Sequence, residues 1–543
     1  MKTLVFFGAG ATKRLNMPIS IDIEKFFKEL SQNSSIKERL EKFLSDTRLF
    51  SKEVEEQFIA DIEQTLSLLY DGNGATNQKE AKYIKEKTFK GYIKTLAQKS
   101  ELKALYEHFF GTYVFPYYDW LALKSLIQDI LEIGERDNIS LQDILTIISK
   151  ALFSNISIPT KELFPKEEKF TFPNRIYLNY PQRLQGAVRV YNLLVFKLFK
   201  YALEELNEEK LSKYRKFVNA VVEECTSDIS KGKSDEEILV NTNLATLNWE
   251  PVIPFLFIRR VRDKNQELKY KGLLLYLSYS APFNVFNIKR RKEKTYIVDE
   301  DGAFFVNELT KQKKLCKVNV KLIKFFVPHG LFNMRVCPRC QNIFLIFPDE
   351  VGKIEPKRLR ELFYFDIIPT KEDLEYLRKV FNKEEILPSE IVCPHCGNPT
   401  FFTDTFLQIQ TVFKPQEPPL ILKSYYDYAV SAAEADHLVF IGYSFPKDDI
   451  PHLITLLSLG FNPSKHKRDR KMTLILYDTS LTLREKIWFK YDEAIKKTNS
   501  YNQETLRNAS KLIKKKNIRV TFFGFPDILD RVSPKEILKW RGA

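Results

Sequence analysis

The chain has 543 residues, of which 44% are hydrophobic and 29% are charged. This balance is typical of a folded globular protein and excludes an intrinsically disordered one. No apolar run approaches the ~20 residues that a transmembrane helix needs. The apolar run at the N-terminus stops at Gly8, which is too short for a secretory signal. We therefore expect a cytoplasmic protein with no membrane association and roughly two to four structural units.

The formal net charge is +15, and basic residues cluster at 289–294, 465–471 and 511–516. Solvated loops and helix faces are the favoured interpretation of these clusters. Attraction to nucleic acid is the alternative, because closely spaced Lys and Arg side chains bind phosphates. No motif typical of nucleic-acid binding accompanies them.

The chain opens with the apolar run Thr3–Phe7 followed by Gly8, which predicts a buried strand and a tight turn within residues 1–20. The pattern over residues 21–235 is mainly helical. In Leu184–Ala202, for example, apolar residues recur at steps of three and four, as in an amphipathic helix. We interpret this segment as a helical insertion.

Strand-like runs return in residues 236–330 and 413–543, and residues 331–412 carry paired cysteines. The clearest runs are Leu244–Leu247, Leu273–Leu277, Val320–Val327, Leu438–Ile441, Thr473–Tyr477 and Val520–Phe523. Short apolar strands that alternate with helices are typical of a doubly wound parallel sheet. The sequence therefore predicts an α/β fold with a Rossmann-like sheet, a large helical insertion and a small zinc-binding module.

Five polar or turn residues lie at or just beyond the predicted strand ends: Gly8, Asn248, His329, Gly442 and Asp478. The carboxyl ends of parallel strands face one crevice, where ligands bind. We therefore expect these residues to surround a common site.

Gly8, Ala9, Gly10 and Thr12 form a turn in which glycine would let a pyrophosphate approach the backbone, assisted by the N-terminus of the next helix. An ordinary strand-to-helix turn is equally compatible with this short motif. Asn248 would hold a ribose hydroxyl or a water, and a turn-forming asparagine is the alternative.

His329 follows a buried apolar run, and an imidazole there could take a proton from a sugar hydroxyl. A structural histidine is the alternative, but the following Gly330 and the nearby cysteines favour a functional one. In the loop after Leu438–Ile441, Gly442 and Ser444 are candidates for phosphate or ribose contacts. Asp478, after the next strand, is a candidate for ribose hydroxyls.

Cys337, Cys340, Cys393 and Cys396 form two Cys-x-x-Cys pairs. In a reducing compartment such pairs are typical of a closed structural zinc site with four thiolate ligands. Fifty-two residues separate Cys340 from Cys393 (393 − 340 − 1), so we expect an insertion within the module. The metal would be structural, because four sulfur ligands leave no open position.

Taken in order, these motifs resemble those of the sirtuin family. Gly8–Thr12 resembles its opening Gly-Ala-Gly-x-Ser turn, and Thr246–Glu250 resembles Thr-Gln-Asn-Ile-Asp. His329–Gly330 is similar to the catalytic His-Gly, the cysteine pairs match its zinc module, and Gly442–Ser444 resembles its Gly-Thr-Ser. The resemblance implies NAD+ as substrate, with His329 and Asn248 in catalysis.

Several positions depart from the sirtuin deacylases. Ile19–Ile21 replaces Asp-Phe-Arg, and Leu247 replaces the glutamine. Phe413–Pro415 replaces the stretch that pairs with an acylated peptide, and proline has no backbone N–H for such pairing. The Gly-Tyr-Ser motif followed by two acidic residues resembles prokaryotic sirtuin-like proteins of anti-phage defence.

These features favour an NAD+ glycohydrolase that releases nicotinamide and ADP-ribose. An NAD-dependent protein-lysine deacylase is the enzyme alternative, and a non-catalytic nucleotide-sensing regulator is the other. We also expect a homo-oligomer, one structural zinc per chain, and nucleic acid or a defence-system protein as a candidate partner.

Overall fold

The fold is a mixed α/β architecture, described from a computed structural model. The structure describes residues 146–148, separate positions between 186 and 206, and residues 449, 452 and 456. The continuous described ranges are 2–18, 208–227, 241–268, 273–278, 283–287, 298–299, 302–303, 319–347, 391–400, 405–407, 419–446, 470–481 and 486–540.

Within the part of the chain that the structure describes, the main sheet has eight strands, of which seven are parallel. In chain order they are β1 (Thr3–Phe7), β2 (Thr242–Thr246), β3 (Leu273–Ser278), β7 (Asn319–Phe326), β11 (His437–Ile441), β12 (Lys471–Ile475), β13 (Phe489–Lys490) and β14 (Ile518–Thr521). Their spatial order is β13-β14-β12-β11-β1-β2-β7-β3, with β13 antiparallel at one edge. The parallel strands are short and apolar because both faces of such a sheet are buried.

The strand order places a topological switch point between β1 and β11. From β1 the chain continues to β2 on one side, whereas β11, β12 and β14 extend the sheet on the other side. In open α/β sheets the crevice at the carboxyl ends of two such strands is the usual ligand site. The mostly parallel, doubly wound order agrees with the Rossmann-like sheet predicted from the sequence.

Helices cover both faces of the sheet. They are α1 (Glu208–Ser227), α2 (Val252–Leu268), α3 (Pro419–Glu434), α4 (Tyr491–Lys497), α5 (Ser500–Leu512) and α6 (Pro534–Leu538). Phe6 contacts Tyr428 of α3, whereas Phe7 contacts Phe217 of α1 and Phe257 of α2. Since successive strand residues point to opposite faces, α3 lies on one face and α1 and α2 lie on the other.

A second, smaller sheet carries the cysteines. Its order is β10-β8-β9-β4, formed by β4 (Phe283–Asn287), β8 (Gly330–Val336), β9 (Ile343–Phe347) and β10 (Thr405–Leu407). The turn between β7 and β8 contains His329 and is closed by a 2.9 Å hydrogen bond from Gly330 N–H to Val327 O. His329 therefore lies where the chain leaves the main sheet and enters the small one.

The predicted strands are present within about two residues of their expected ends. In addition, β5 (Val298–Asp299) pairs antiparallel with β6 (Gly302–Ala303). Within the predicted insertion, α1 and the described positions between 186 and 203 are helical. Ile19–Ile21, Phe413–Pro415 and most of 21–235 lie outside the described residues. Among the helices described, none is long and apolar enough to cross a membrane.

Candidate functional site

The loops after β1 and β11 cross in direct backbone contact. Gly8 N–H donates to Ile441 O and Gly10 N–H donates to Gly442 O, each at 2.9 Å. Gly442 has a φ of +61°, and a Cβ there would lie 2.2 Å from the backbone nitrogen of Ala11. Larger residues would force the two loops apart, so these glycines are required by the crossing itself.

This crossing changes the interpretation of the predicted pyrophosphate turn. Ala9–Ala11 and Lys13–Leu15 are two short 3₁₀ turns, so the expected α-helix N-terminus does not follow Gly8 directly. Ala11 N–H donates to Gly8 O and Thr12 N–H donates to Ala9 O. With Gly8 and Gly10, four of the five N–H groups in Gly8–Thr12 thus bind protein carbonyls, and the turn has few donors left for a phosphate.

Asn248 contacts this turn from the end of β2. Its Nδ2 donates to Gly8 O at 3.2 Å, to Thr12 Oγ1 at 3.4 Å and to Glu250 Oε1 at 3.1 Å. The Asn248 N–H donates to Thr246 Oγ1 at 3.1 Å. Three acceptors around one amide nitrogen fix the orientation of the Asn248 side chain.

Glu250 is a site residue that the sequence analysis did not assign. It is buried, and its Oε2 accepts from the Val252 N–H at the start of α2 at 2.8 Å. Burial raises the pKa of Glu250 to about 7, although hydrogen bonds from Val252, Thr12 and Asn248 partly oppose this. A carboxyl group that titrates near neutral pH therefore lies against Asn248.

A tyrosine of α1 fixes the same turn from the other face of the sheet. The Tyr214 hydroxyl donates to Ala11 O at 2.9 Å, and the ring packs edge-on against Phe525. Burial raises the pKa of Tyr214, so this hydroxyl stays a neutral donor. The turn is thus held by β2, α1 and the loop after β11.

His329 is paired with an aspartate from a distant segment. Its Nε2 lies 3.2 Å from Oδ1 of Asp449, and the Tyr443 hydroxyl donates to Oδ2 of the same carboxylate at 3.0 Å. All three side chains are buried. No local pattern could have revealed the pairing of Asp449 with His329, 120 residues away in the chain.

The two halves of the site meet at Gly8. Asn248 donates to the Gly8 carbonyl, and a Cβ on Gly8 would lie 2.6 Å from Cα of Tyr443. Tyr443 in turn contacts Asp449, the partner of His329. The structure therefore brings together most of the predicted residues. Asn248 and His329 follow β2 and β7, which are neighbours in the sheet, and the Phe332 N–H donates to Trp249 O at 2.9 Å between the two segments.

Ala9, Gly10 and Ser444 are half-buried parts of the two crossing loops. Ser444 stands between Tyr443 and Phe445, and Phe445 has a φ of +55°. An aromatic residue rarely adopts this left-handed conformation, and such strain is often found at functional loops. Ser444 is thus in the expected loop.

Asp478 is not a free ligand for ribose. Its Oδ1 accepts from the N–H and hydroxyl of Ser480, and its Oδ2 accepts from the Thr498 hydroxyl and from the N–H and Nδ2 of Asn499. Burial would raise the pKa of Asp478, but these donors hold it below its usual value. We therefore reassign Asp478 from cofactor binding to joining the end of β12 to the start of α5.

The four cysteines converge as the sequence predicted. Their sulfur atoms all lie within 4.8 Å of one another, and the pairs Cys337–Cys396 and Cys340–Cys393 are each 3.6 Å apart. A tetrahedron with Zn–S bonds of ~2.3 Å has edges of about 3.8 Å, so the spacing fits a metal ion. These cysteines form a cluster that could hold one.

The two cysteine turns share the same local structure. Both read Cys-Pro-x-Cys-x-Asn, and the N–H of the first cysteine donates to the asparagine carbonyl in each turn. The residue after the second cysteine has positive φ in both, at +59° for Gln341 and +72° for Gly397. Asn342 Nδ2 also donates to the sulfur of Cys340 at 3.3 Å. Such donors stabilise the thiolate form that binds metal.

No protein-family model and no curated protein matches this chain. The features that bear on its function are a loop crossing at a switch point, an oriented asparagine, a histidine–aspartate pair and a separate cysteine cluster.

Proposed function

We propose that this chain is a sirtuin-like enzyme that hydrolyses NAD+ to nicotinamide and ADP-ribose. The observation that carries the proposal is the convergence of Asn248, the Gly8–Thr12 turn and the His329–Asp449 pair beside the switch point between β1 and β11. Ligands of open α/β sheets bind in such a crevice, and the order of motifs resembles that of sirtuins.

The chemistry needs few protein groups. The bond between ribose C1′ and the nicotinamide nitrogen breaks, its electron pair leaves with neutral nicotinamide, and an oxocarbenium-like centre remains. Asn248 positions the nicotinamide ribose and a water, and His329 accepts a proton from a ribose hydroxyl. Water then bonds to C1′, so that the net reaction consumes one water and releases nicotinamide, ADP-ribose and a proton.

The loop crossing suggests how the cofactor would lie. Most N–H groups of Gly8–Thr12 are used within the protein, and the space beside Gly8 and Gly10 is filled by Gly442 and Tyr443, so an array of backbone donors would not hold the pyrophosphate. The half-buried Ala9, Gly10 and Ser444 would then provide the surface against which the pyrophosphate or a ribose packs.

Zinc is the metal we propose for Cys337, Cys340, Cys393 and Cys396, because four thiolates at tetrahedral spacing match its preferred structural site. The ion would hold the small sheet beside His329 without taking part in the reaction. NAD+ depletion would halt growth, and a role in anti-phage defence is proposed from the motif resemblance.

Two other functions are each favoured by an observation. A protein-lysine deacylase is favoured by the cysteine cluster of the small sheet, since the deacylases carry the same module; it would form acyl-ADP-ribose. A non-catalytic nucleotide sensor is favoured by the burial and internal hydrogen bonds of Asn248 and His329. It would bind NAD+ without changing it.

The test is product analysis with purified full-length protein. NAD+ is incubated alone, with acetylated peptide and with nucleic acid, and products are identified by mass spectrometry. We expect nicotinamide and ADP-ribose without peptide, and at least a 100-fold loss in Asn248→Ala and His329→Ala, in line with the contribution of a general base. The exposed His395 provides the control, and His395→Ala should retain activity.

The outcomes separate the three functions. Acyl-ADP-ribose formed only with peptide indicates the deacylase, and NAD+ binding without turnover in every condition indicates the sensor. NAD+ cleavage that persists in both Asn248→Ala and His329→Ala would overturn the assignment of these residues.

A further inference from the structure

Three buried polar side chains from different parts of the chain are hydrogen-bonded end to end. Tyr443 donates to one oxygen of Asp449 at 3.0 Å, and the other oxygen lies 3.2 Å from Nε2 of His329. Tyr443, Asp449 and His329 are 4%, 3% and 5% exposed. A carboxylate this deeply buried is tolerated when it is hydrogen-bonded or paired with a charge.

The tyrosine is held rigidly by aromatic neighbours. Its ring lies 4.8 Å from Phe6 and 4.8 Å from Phe445, measured between centroids, and stacks at 6.0 Å on Phe440. Phe6 and Phe440 belong to β1 and β11, the two strands at the switch point. The hydroxyl that contacts Asp449 is therefore fixed by the centre of the sheet rather than by a surface loop.

The two oxygens of the Asp449 carboxylate contact different partners, and this affects the protonation of His329. With Oδ2 engaged by the Tyr443 hydroxyl, Oδ1 is directed to the imidazole of His329. An anion at hydrogen-bond distance favours the protonated imidazole and fixes the orientation of the ring. A histidine that must accept a proton from substrate needs both effects.

We propose that Asp449 is a positioning residue that orients His329 and stabilises its imidazolium form, and that the Tyr443 hydroxyl shares the charge of Asp449 and so limits this stabilisation. The inference rests on the proposed function, in which His329 is the base. It adds two residues that the motif resemblance does not assign. Neither contacts the substrate in this scheme; both act through His329.

Two further ionisable side chains, His452 and Tyr428, pack against the hydrogen-bonded group of Tyr443, Asp449 and His329 and must be included in any titration. His452 lies edge-on to Tyr443 at 5.3 Å and stacks on Phe6, and the Tyr428 hydroxyl lies 3.3 Å from its Nε2. Burial raises the pKa of Tyr428 well above its usual value. Tyr428 therefore stays neutral, and His452 is the group to distinguish from His329.

The experiment is an NMR titration of the six histidines in full-length protein labelled at the imidazole, with His329→Gln and His452→Gln used to assign the two signals. In Asp449→Asn we expect the His329 titration midpoint to fall by about 1 pH unit or more, because an opposite charge is lost from its immediate surroundings. Asp492→Asn, an exposed carboxylate at the start of α4, is the control and should leave it unchanged.

Tyr443→Phe is the second variant, and it keeps the packed ring. Without the hydroxyl, the negative charge of Asp449 is no longer divided between Tyr443 and His329. The titration midpoint of His329 should therefore rise by about half a pH unit. The pH profile of NAD+ cleavage should move in the same direction as the midpoint in each variant. A purely structural role would lower stability without these opposite shifts.

Unchanged midpoints in both variants would overturn the inference, whatever the activity. If the midpoints shift as expected but the unaltered protein does not cleave NAD+, the pair is real and the proposed function fails. If Asp449→Asn does not fold, the sign of the Tyr443→Phe shift decides, since a fall or no change contradicts the proposed sharing of the charge.

Discussion

The pH dependence of stability should contain a contribution from the carboxyl group of Glu250, which Glu250→Gln removes. The group is fully buried, and burial raises its pKa from 4.5 to about 7 against the opposing donors Val252, Thr12 and Asn248. The folded protein therefore keeps a proton that the unfolded chain releases between these two pH values. Because the folded state binds more protons there, stability falls as pH rises from about 4.5 to about 7.

The size of the effect follows from the same two values. Each unit between the folded and unfolded pKa corresponds to about 1.4 kcal/mol, so the full change is about 3 kcal/mol. It is complete once the pH exceeds about 7 and the buried carboxylate is ionised. Between pH 5 and pH 8, Glu250→Gln should therefore gain about 2–3 kcal/mol relative to the unaltered protein.

The assay is urea unfolding at several pH values, followed by tryptophan fluorescence, to which the buried neighbour Trp249 contributes. Glutamine also perturbs the contact with Asn248 Nδ2, but that effect does not depend on pH. The measured quantity is therefore the change in the free energy of unfolding with pH. Glu209→Gln, at an exposed position on α1, is the control. A difference between Glu250→Gln and the unaltered protein that stays constant from pH 5 to pH 8 would refute this explanation.

Three further predictions concern other parts of the molecule. Burial lowers the pKa of His437 from 6.5 to about 3, and the nearby charge of Arg519 adds to this. The free energy of unfolding should therefore fall as pH drops below 6.5, by about 2 kcal/mol at pH 5. His437→Gln should abolish this pH dependence in urea unfolding, and an unchanged pH dependence contradicts the prediction. Gly442→Ala should lower stability by at least about 2 kcal/mol or prevent folding. Gly397→Ala, at a similar positive φ but with open space around it, should lose only about 1–2 kcal/mol, and equal thermal shifts in the two would show that crowding is irrelevant. Cys340→Ser should reduce bound zinc from about one per chain towards zero by metal analysis, and full retention contradicts the assigned ligands.

The strands were predictable because each is a short, continuous run of apolar residues in the sequence. Leu438–Ile441 and Thr3–Phe7 are continuous apolar runs that end in glycine, as expected of parallel strands buried on both faces. Once strands are known to be parallel, their carboxyl ends must share an edge. The grouping of Gly8, Asn248 and Gly442 follows from that geometry and not from any single motif.

The partners of these residues were not predictable, because they come from distant segments. Asp449 appears in the sequence as an acid that could open a helix, yet its carboxylate is directed to His329 by Tyr443. The raised pKa of Glu250 was not predictable either. Glu250 is only two residues from Asn248, but its pKa depends on burial against the turn of Gly8–Thr12. Local sequence does not encode burial of this kind.

A polar residue just after a strand can be a candidate ligand contact or a structural residue, and the sequence does not distinguish the two. Asp478 and Asn248 both follow strands and both looked like ligand contacts. In the structure Asp478 accepts five hydrogen bonds from Ser480, Thr498 and Asn499, the N-cap of α5. A carboxylate with that many donors is a structural anchor, and the distinction depends on a turn about twenty residues further along.

The two candidate catalytic side chains are supported by carboxyl groups in different electrostatic settings. Asp449 is directed to an imidazole that can become cationic, so its charge favours a protonated His329. Glu250 lies against the neutral amide of Asn248, and burial raises its pKa, so it takes up a proton near pH 7. Its ionisation would strengthen the hydrogen bond from Asn248 Nδ2 while lowering stability. A ligand that needs this amide fixed should therefore bind more tightly above pH 7, and by linkage its binding should lower the pKa of Glu250.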